Sequence, residues 1–152
     1  MPRSSLDIRP VTDADVDAVT ALLVGQLREH RIDTPPAKIA SAVKTIVRNP
    51  ERGRILVAIE NGTAVGVAAL SFVWSIEHGG RSAWLDELYV SPGARGHGVG
   101  TQLLRDALST ATEAGAVAVD LEVDVDHQRA AKLYEREGFA TLPRARWVRT
   151  LP

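Results

Sequence analysis

Between Ser91 and Leu104 the sequence reads SPGARGHGVGTQLL, with Gly96, Gly98 and Gly100 at alternate positions behind Arg95. A glycine costs a helix about 0.5–1 kcal/mol relative to alanine. Three of them at the head of a leucine-containing run therefore ask for a backbone shape, or a close approach, that other residues deny. A strand-like run ends at Val90, Ser91-Pro92-Gly93 turns the chain, and a helix starts at about Gly98. The first amides of a helix have no intrahelical partner and carry the positive end of its dipole. Glycine lets an anion come close to those amides, and Arg95 adds a charge, so the chemistry on offer is phosphate binding. Two familiar phosphate loops do not fit. A P-loop ends in Lys followed by Ser or Thr, and no lysine closes this one. The dinucleotide loop spaces its glycines G-x-G-x-x-G, whereas here Val99 alone separates Gly98 from Gly100.

Other chemistries are excluded more simply. There is no cysteine, so disulfides, thiolate metal sites and a cysteine nucleophile are ruled out. His30, His78, His97 and His127 show no zinc spacing, and no metal is expected. With 18 basic and 19 acidic residues the net charge is −1, which offers no field for nucleic acid or an anionic membrane. Arg144, Arg146 and Arg149 make a small basic patch near the C-terminus, without the interleaved aromatics of a nucleic-acid reader. The N-terminal MPRSSLDIRPVT has no apolar core for a signal peptide, and no apolar run approaches a membrane span. A cytoplasmic location is expected.

The elements that must position the glycine loop are legible from punctuation and periodicity. The length suggests one domain, 1–152. Leu6 to Pro10 reads as a short strand. Asp13 or Asp15 then caps a helix with Val16, Val19, Leu22, Leu23 and Leu27 on one face, ended by Asp33-Thr34-Pro35-Pro36. A second helix aligns Ile39, Val43, Ile46 and Val47 and stops near Asn49-Pro50. Ile55 to Glu60 is a strand, Asn61-Gly62 a hairpin turn, and Ala64 to Ile76 a long strand. Ser82 to Val90 is the next, followed by the loop and a helix from about Gly98 to Glu113. Val117 to Asp124 is a strand, His127 to Glu137 a helix, and Phe139 to Leu151 a final hairpin. The order β-α-α-β-β-β-α-β-α-β-β is mixed α/β, an antiparallel meander leading into a strand-helix-strand unit.

Arg95-Gly96-His97-Gly98-Val99-Gly100 resembles the [Gln/Arg]-x-x-Gly-x-[Gly/Ala] pyrophosphate loop of the GNAT superfamily, the acetyl-CoA-dependent N-acetyltransferases. Leu85-Asp86-Glu87-Leu88-Tyr89-Val90-Ser91-Pro92 is similar to that family's fourth strand. Lys132-Leu133-Tyr134-Glu135-Arg136-Glu137-Gly138-Phe139 is similar to its LYEKxGF helix end. The resemblance covers roughly Trp84 to Phe139 and is specific because three motifs occur at the family's separation. It implies the GNAT fold: a twisted, mostly antiparallel sheet of about seven strands with four helices and a splayed fourth and fifth strand. It implies acetyl-CoA as co-substrate, held by Leu88, Tyr89, Val90, Arg95, Gly96, His97, Gly98, Val99, Gly100, Thr101, His127 and Tyr134. Where the family commonly carries N-x-x-A, with Asn contacting the pantetheine arm, this chain has His127-Gln128-Arg129-Ala130. Histidine is a poorer helix cap, though its ring can donate a hydrogen bond.

The resemblance also implies direct attack of an amine on the thioester. An alkyl amine has a pKa near ~10.4 and needs a base or a desolvating site. Asp86 and Glu87 are the two candidates. Adjacent on a strand, they face opposite sides, so only one easily faces the cleft. The polyamine-type members read Leu-Glu-Asp here, which aligns Asp86 with their base or anchor, while other members place a glutamate nearby. A backbone N–H within Leu88–Val90 would polarise the carbonyl oxygen. Tyr134 aligns with the tyrosine that protonates the leaving thiolate. The acceptor is expected to be a small primary amine, with protein N-termini or lysines as the next candidates. A non-catalytic acyl-CoA sensor is the alternative from another class. Acceptor-lining candidates are His30, Trp74, Glu77, His78 and Trp84, together with an acidic strand face of Asp120, Glu122 and Asp124. Members often pair through C-terminal strands, so a homodimer joined along Arg144 to Leu151 is expected.

Overall fold

The computed structural model of the chain describes residues 5–152. It divides into two compact units, the first running to Glu122 and the second covering Val123–Pro152. In the first unit β1 (Leu6–Pro10) leads through a 3₁₀ turn (Asp13–Asp15) into α1 (Val16–Glu29), followed by α2 (Pro36–Arg48). β2 (Gly53–Glu60), β3 (Thr63–Ser75) and β4 (Gly80–Val90) make the meander. A second 3₁₀ turn (Pro92–Ala94), α3 (Val99–Glu113) and β5 (Ala118–Leu121) complete the unit. The sheet order is β1-β2-β3-β4-β5. Every pairing is antiparallel except β4 with β5, where the single helix α3 carries the chain back across the sheet, whereas the two helices between β1 and β2 leave those strands antiparallel.

Local chemistry sets the boundaries. The β2–β3 turn uses Asn61 and Gly62 at φ of 50° and 80°, both left-handed, as the tightest hairpin requires. Asp15 closes the entry to α1. It accepts the Thr12 backbone N–H at 2.8 Å and two Arg9 guanidinium N–H groups at 2.7 and 2.9 Å. The Arg9 hydrogen bonds hold its carboxyl well below the usual carboxylate range, against the opposing effect of burial. Pro36 opens α2 at a position where a helix loses nothing by lacking an N–H.

One core lies between α1, α2 and the sheet. Val16, Val19 and Leu23 of α1 meet Ile39 and Val43 of α2 over Val57, Val67, Ala69 and Tyr89. Each such Val or Leu contributes about 1.5–3 kcal/mol relative to exposure. The opposite face is covered by α3, with Leu103 and Leu104 fully buried. No helix among the described residues is long and apolar enough to cross a membrane.

The second unit contains α4 (Gln128–Arg136). The expected final hairpin is absent, so the sheet has five strands rather than seven and the element order ends at α4. A strand needs a ladder. Leu142, Trp147, Val148 and Leu151 lie exposed, without the buried face that would hold a hairpin together. Val117 to Asp124 likewise shortens to β5, leaving Glu122 and Asp124 outside the strand.

Candidate active site

The glycine loop takes left-handed backbone at two of its three alternating glycines. Gly96 and Gly98 stand at φ of 83° and 84°, and Gly98 is the N-cap of α3. The first bond of the helix runs from Gln102 N–H to the Gly98 carbonyl at 3.0 Å, which leaves the amides from Val99 to Thr101 outside the ladder. A Cβ at Gly96 or Gly98 would meet nothing within 4 Å, so the loop backbone is open to a ligand. No acidic side chain sits in the first turn to compete for those amides. His97 is exposed at the loop tip, and Val99 is buried beneath it.

Arg95 does not simply point at those amides. Its Nη2 donates to both carboxylate oxygens of Glu29 at 3.0 and 3.1 Å, and its Nε donates to the Val90 carbonyl at 2.8 Å. Its guanidinium stacks on the Tyr89 ring, 5.4 Å from the centroid, while the Tyr89 hydroxyl donates to Glu29 at 3.3 Å. Burial, then the Glu29 charge, pushes the Tyr89 phenol up. Arg95 thus ties the end of α1 to the start of the loop. Exposed ion pairs contribute about 0.2–1 kcal/mol. Glu29→Gln should accordingly raise the acetyl-CoA dissociation constant about 2–5-fold by calorimetry. A change beyond tenfold would mean that Glu29 governs more than loop position.

The two carboxylates are arranged differently from the sequence reading. Ala69 pairs with Glu87, but Leu70 pairs with Leu85, so Asp86 is an extra residue, a β-bulge in β4. Strict alternation would put Asp86 and Glu87 on opposite faces. The bulge cancels it. Glu87 lies across from Ala69 in the α1-facing core layer. Asp86 accepts a hydrogen bond from the Ser71 hydroxyl, and Ser71, two residues from Ala69, shares its face. Both acids therefore look toward α1. Burial is the main cause that raises Glu87 to about 7, and the neighbouring Asp86 charge adds to it. His30 and a hydrogen bond from Gln26 act in the other direction.

The same bulged strand ends its pairing early. β4 and β5 pair from Ser82 with Ala118 to Leu85 with Leu121, and β5 stops there. Leu88, Tyr89 and Val90 pair only with β3, so within this unit their other edge faces no strand. This opening lies between Glu87 and the glycine loop along β4.

Several acceptor candidates are sorted by the sheet. Trp84 pairs with Ser71 and lies on the Asp86–Glu87 face. Asp120, opposite Trp84, is engaged by His78 Nε2 at 2.9 Å and by the Ser82 hydroxyl at 3.2 Å. Asp120 stands between the histidine and the serine, so the three do not form a nucleophile–base chain. Trp74 alternates to the other face, with Phe72, whose ring carries the Arg81 guanidinium at 4.3 Å. Glu77 is exposed in the β3–β4 turn.

In the second unit His127 occupies the N-cap of α4 without a side-chain cap bond. Its backbone N–H donates to the Asp124 carbonyl at 2.9 Å. Tyr134 meets Phe139 edge to face at 5.7 Å, and the Phe139 N–H closes the helix end on the Tyr134 carbonyl at 2.9 Å. Sequence reasoning missed Gln26 and Glu29. Gln26 had a signal, a polar residue at a core position of the stripe Val16, Val19, Leu23. Glu29 had none, because its partners are distant in sequence.

On this mixed α/β scaffold one strand, β4, carries Glu87 with its raised pKa and leads into the glycine loop that opens α3. Residues 17–139 match the acetyltransferase (GNAT) family. The aminoalkylphosphonate N-acetyltransferase of Salmonella typhimurium is 29% identical over 88% of this chain and 84% of its own length. An uncharacterized N-acetyltransferase of Mycobacterium tuberculosis is 33% identical over 85% of this chain and 84% of its own length. An aminoglycoside N-acetyltransferase solved with CoA shares the fold, with a TM-score of 0.85 at 21% identity, covering 99% of this chain and 98% of that one. The chain belongs to the GNAT acetyltransferase family and is an acetyl-CoA-dependent N-acetyltransferase.

Proposed function

We propose that this enzyme acetylates a small primary amine, with Glu87 as the base that takes the amine proton. The observation that carries the reading is the Glu87 carboxyl, raised to about 7 beside Asp86 and His30 and next to the open edge of β4. A base tuned near neutrality is suited to an ammonium group that must lose its proton before attack. Support for a small acceptor comes from the relative that carries the aminoalkylphosphonate name.

Bound acetyl-CoA supplies the thioester carbonyl carbon. The amides from Gly96 to Thr101 hold its pyrophosphate, with Arg95 fixing the loop and His97 and Val99 flanking it. A main-chain N–H of Leu88, Tyr89 or Val90 donates to the carbonyl oxygen and favours the charge that develops there. Asp86, anchored by Ser71, keeps a negative charge near Glu87 and orients the incoming cation. Tyr134 gives its hydroxyl proton to the leaving sulfur, and His127 touches the pantetheine arm. In this reading residues 1–152 act as one catalytic domain.

Free-thiol release from acetyl-CoA across polyamines, aminoglycosides, amino acids, aminoalkylphosphonates and short peptides tests the reading. Turnover on one class of small amine is expected. Turnover on peptides alone would overturn the small-amine assignment, and CoA binding without turnover on any amine would favour a sensor. Tyr134→Phe should lower kcat about 10–100-fold. If its kcat matches the parent across roughly pH 6–9, a range around the ~8.5 thiol pKa, Tyr134 is not the acid.

A further inference from the structure

Leu88, Tyr89 and Val90 do not all turn their main-chain groups the same way. In an antiparallel ladder the N–H and C=O of one residue point to the same edge, and successive residues alternate between edges. From Glu87 to Val90 the register against β3 runs without a shift, because the bulge lies before it. The Ser91 N–H donates to the Val65 carbonyl of β3 at 2.8 Å. The Tyr89 carbonyl also lies against β3, where a Cβ on Gly66 would stand 3.0 Å from it. Tyr89 and Ser91 therefore face β3. Leu88 and Val90 turn their N–H and C=O groups to the edge that β5 leaves open.

Arg95 holds that edge at its loop end. The Val90 carbonyl accepts the Arg95 Nε–H at 2.8 Å. The same guanidinium donates through Nη2 to Glu29 at 3.0 and 3.1 Å and lies over the Tyr89 ring. The Tyr89 hydroxyl donates to Glu29 at 3.3 Å and closes the circuit. One side chain thus grips the main chain of Val90 and the ring of the residue before it, and braces both against the end of α1. A strand edge without a partner strand has no second ladder to fix it. The Nε–H on Val90 stands in for one, and the guanidinium charge is met by Glu29.

We propose that Arg95 is a positioning residue for the transfer step: it fixes the outward N–H groups of Leu88 and Val90 where the thioester oxygen meets them, and it does not act as a phosphate ligand. The inference rests on the reading in which a main-chain N–H of β4 polarises that carbonyl, and it removes Tyr89 from the three donors considered there.

Two substitutions separate position from charge. Arg95→Gln keeps an N–H at the place of Nε and loses the charge, whereas Arg95→Lys keeps the charge and puts a methylene at that place. Arg95→Lys is expected to lower kcat about 10-fold, less than the roughly 10²–10³-fold loss of an oxyanion donor, because the donor is displaced and not removed. Arg95→Gln should keep kcat within about threefold of the parent. Calorimetry should place acetyl-CoA binding by both variants within about fivefold of the parent, as for a loop-positioning ion pair, which also shows that they fold.

The carbonyl gives a readout that needs no amine. In acetyl-CoA labelled with carbon-13 at the thioester carbonyl, the bound signal moves downfield when a donor reaches the oxygen. That shift is expected in the parent and in Arg95→Gln, and is expected to fall back toward the free position in Arg95→Lys. A parent-like kcat and carbonyl signal in Arg95→Lys overturns the role of Arg95 and leaves the main-chain donor standing. A dissociation constant raised more than about tenfold in Arg95→Gln but not in Arg95→Lys makes Arg95 a phosphate ligand and also overturns it. A parent enzyme that leaves the bound carbonyl unshifted removes the main-chain donor itself, and this inference with it.

Discussion

Glu87→Gln should lower kcat about 10²–10³-fold while leaving acetyl-CoA binding nearly unchanged. The parent enzyme's kcat/KM should rise with pH through about 7 and level off above it, because the base acts only when ionised. The variant should lack that limb. Its amide cannot accept the amine proton, yet it keeps the size and polarity that the α1–β4 contact needs. Stability gives an independent check. Folding raises the Glu87 pKa from 4.5 to about 7, so between those values the native chain binds more protons than the unfolded one. That contribution is fully present below 4.5 and is lost as pH rises toward about 7. Thermal melts of the parent against Glu87→Gln should therefore diverge across this window, with the variant gaining relative stability as pH rises. A parent-like pH profile in Glu87→Gln would move the base role to Asp86, whose position in the bulge places it on the same face.

Gly98→Asp should raise the acetyl-CoA dissociation constant by about two orders of magnitude or more. Two effects act, the first on stability and the second on binding. The left-handed backbone at φ of 84° costs a side-chain-bearing residue about 1–2 kcal/mol. A carboxylate placed about 5 Å from a phosphate costs about 3 kcal/mol at the effective dielectric of a protein surface. The open space around that Cβ lets the side chain be accommodated without a clash in the free enzyme. The fold should survive, and calorimetry should show the loss as weakened binding of CoA as well as acetyl-CoA. Gly98→Ala separates the terms, since it carries the backbone cost alone, which the free enzyme bears as well, and should lower stability while leaving affinity nearly unchanged. Unchanged affinity in Gly98→Asp would mean that the phosphates lie elsewhere.

The parts that were legible in the sequence share one property: their cause is local. Alternate glycines before a leucine run marked the loop and the start of α3, and the left-handed backbone of Gly96 and Gly98 is what the structure adds. Asn61-Gly62 specified the hairpin, and the apolar period of α1 and α2 specified which faces meet the sheet. The acetyltransferase family was carried by three short motifs whose spacing follows from consecutive elements. The final hairpin was misjudged because alternation in Arg144–Leu151 describes a segment able to pair, whereas a strand exists only where another strand accepts it.

The arrangement of the acids could be decided only by the tertiary structure. Alternation along a strand follows from the chain itself, and it put Asp86 and Glu87 on opposite faces. A bulge depends on register against β3, and register is set by what the two strands bury together. The raised pKa of Glu87 depends on α1 lying over β4 and excluding water there. The same holds for Arg95, whose charge was legible in the sequence but whose partner, Glu29, lies 66 residues away along the chain. Residue type and spacing thus determined the loop, the order of the first nine elements and the class of reaction. Burial and pairing between distant segments determined which carboxylate could act at neutral pH, because desolvation and charge coupling arise only when the chain has closed on itself.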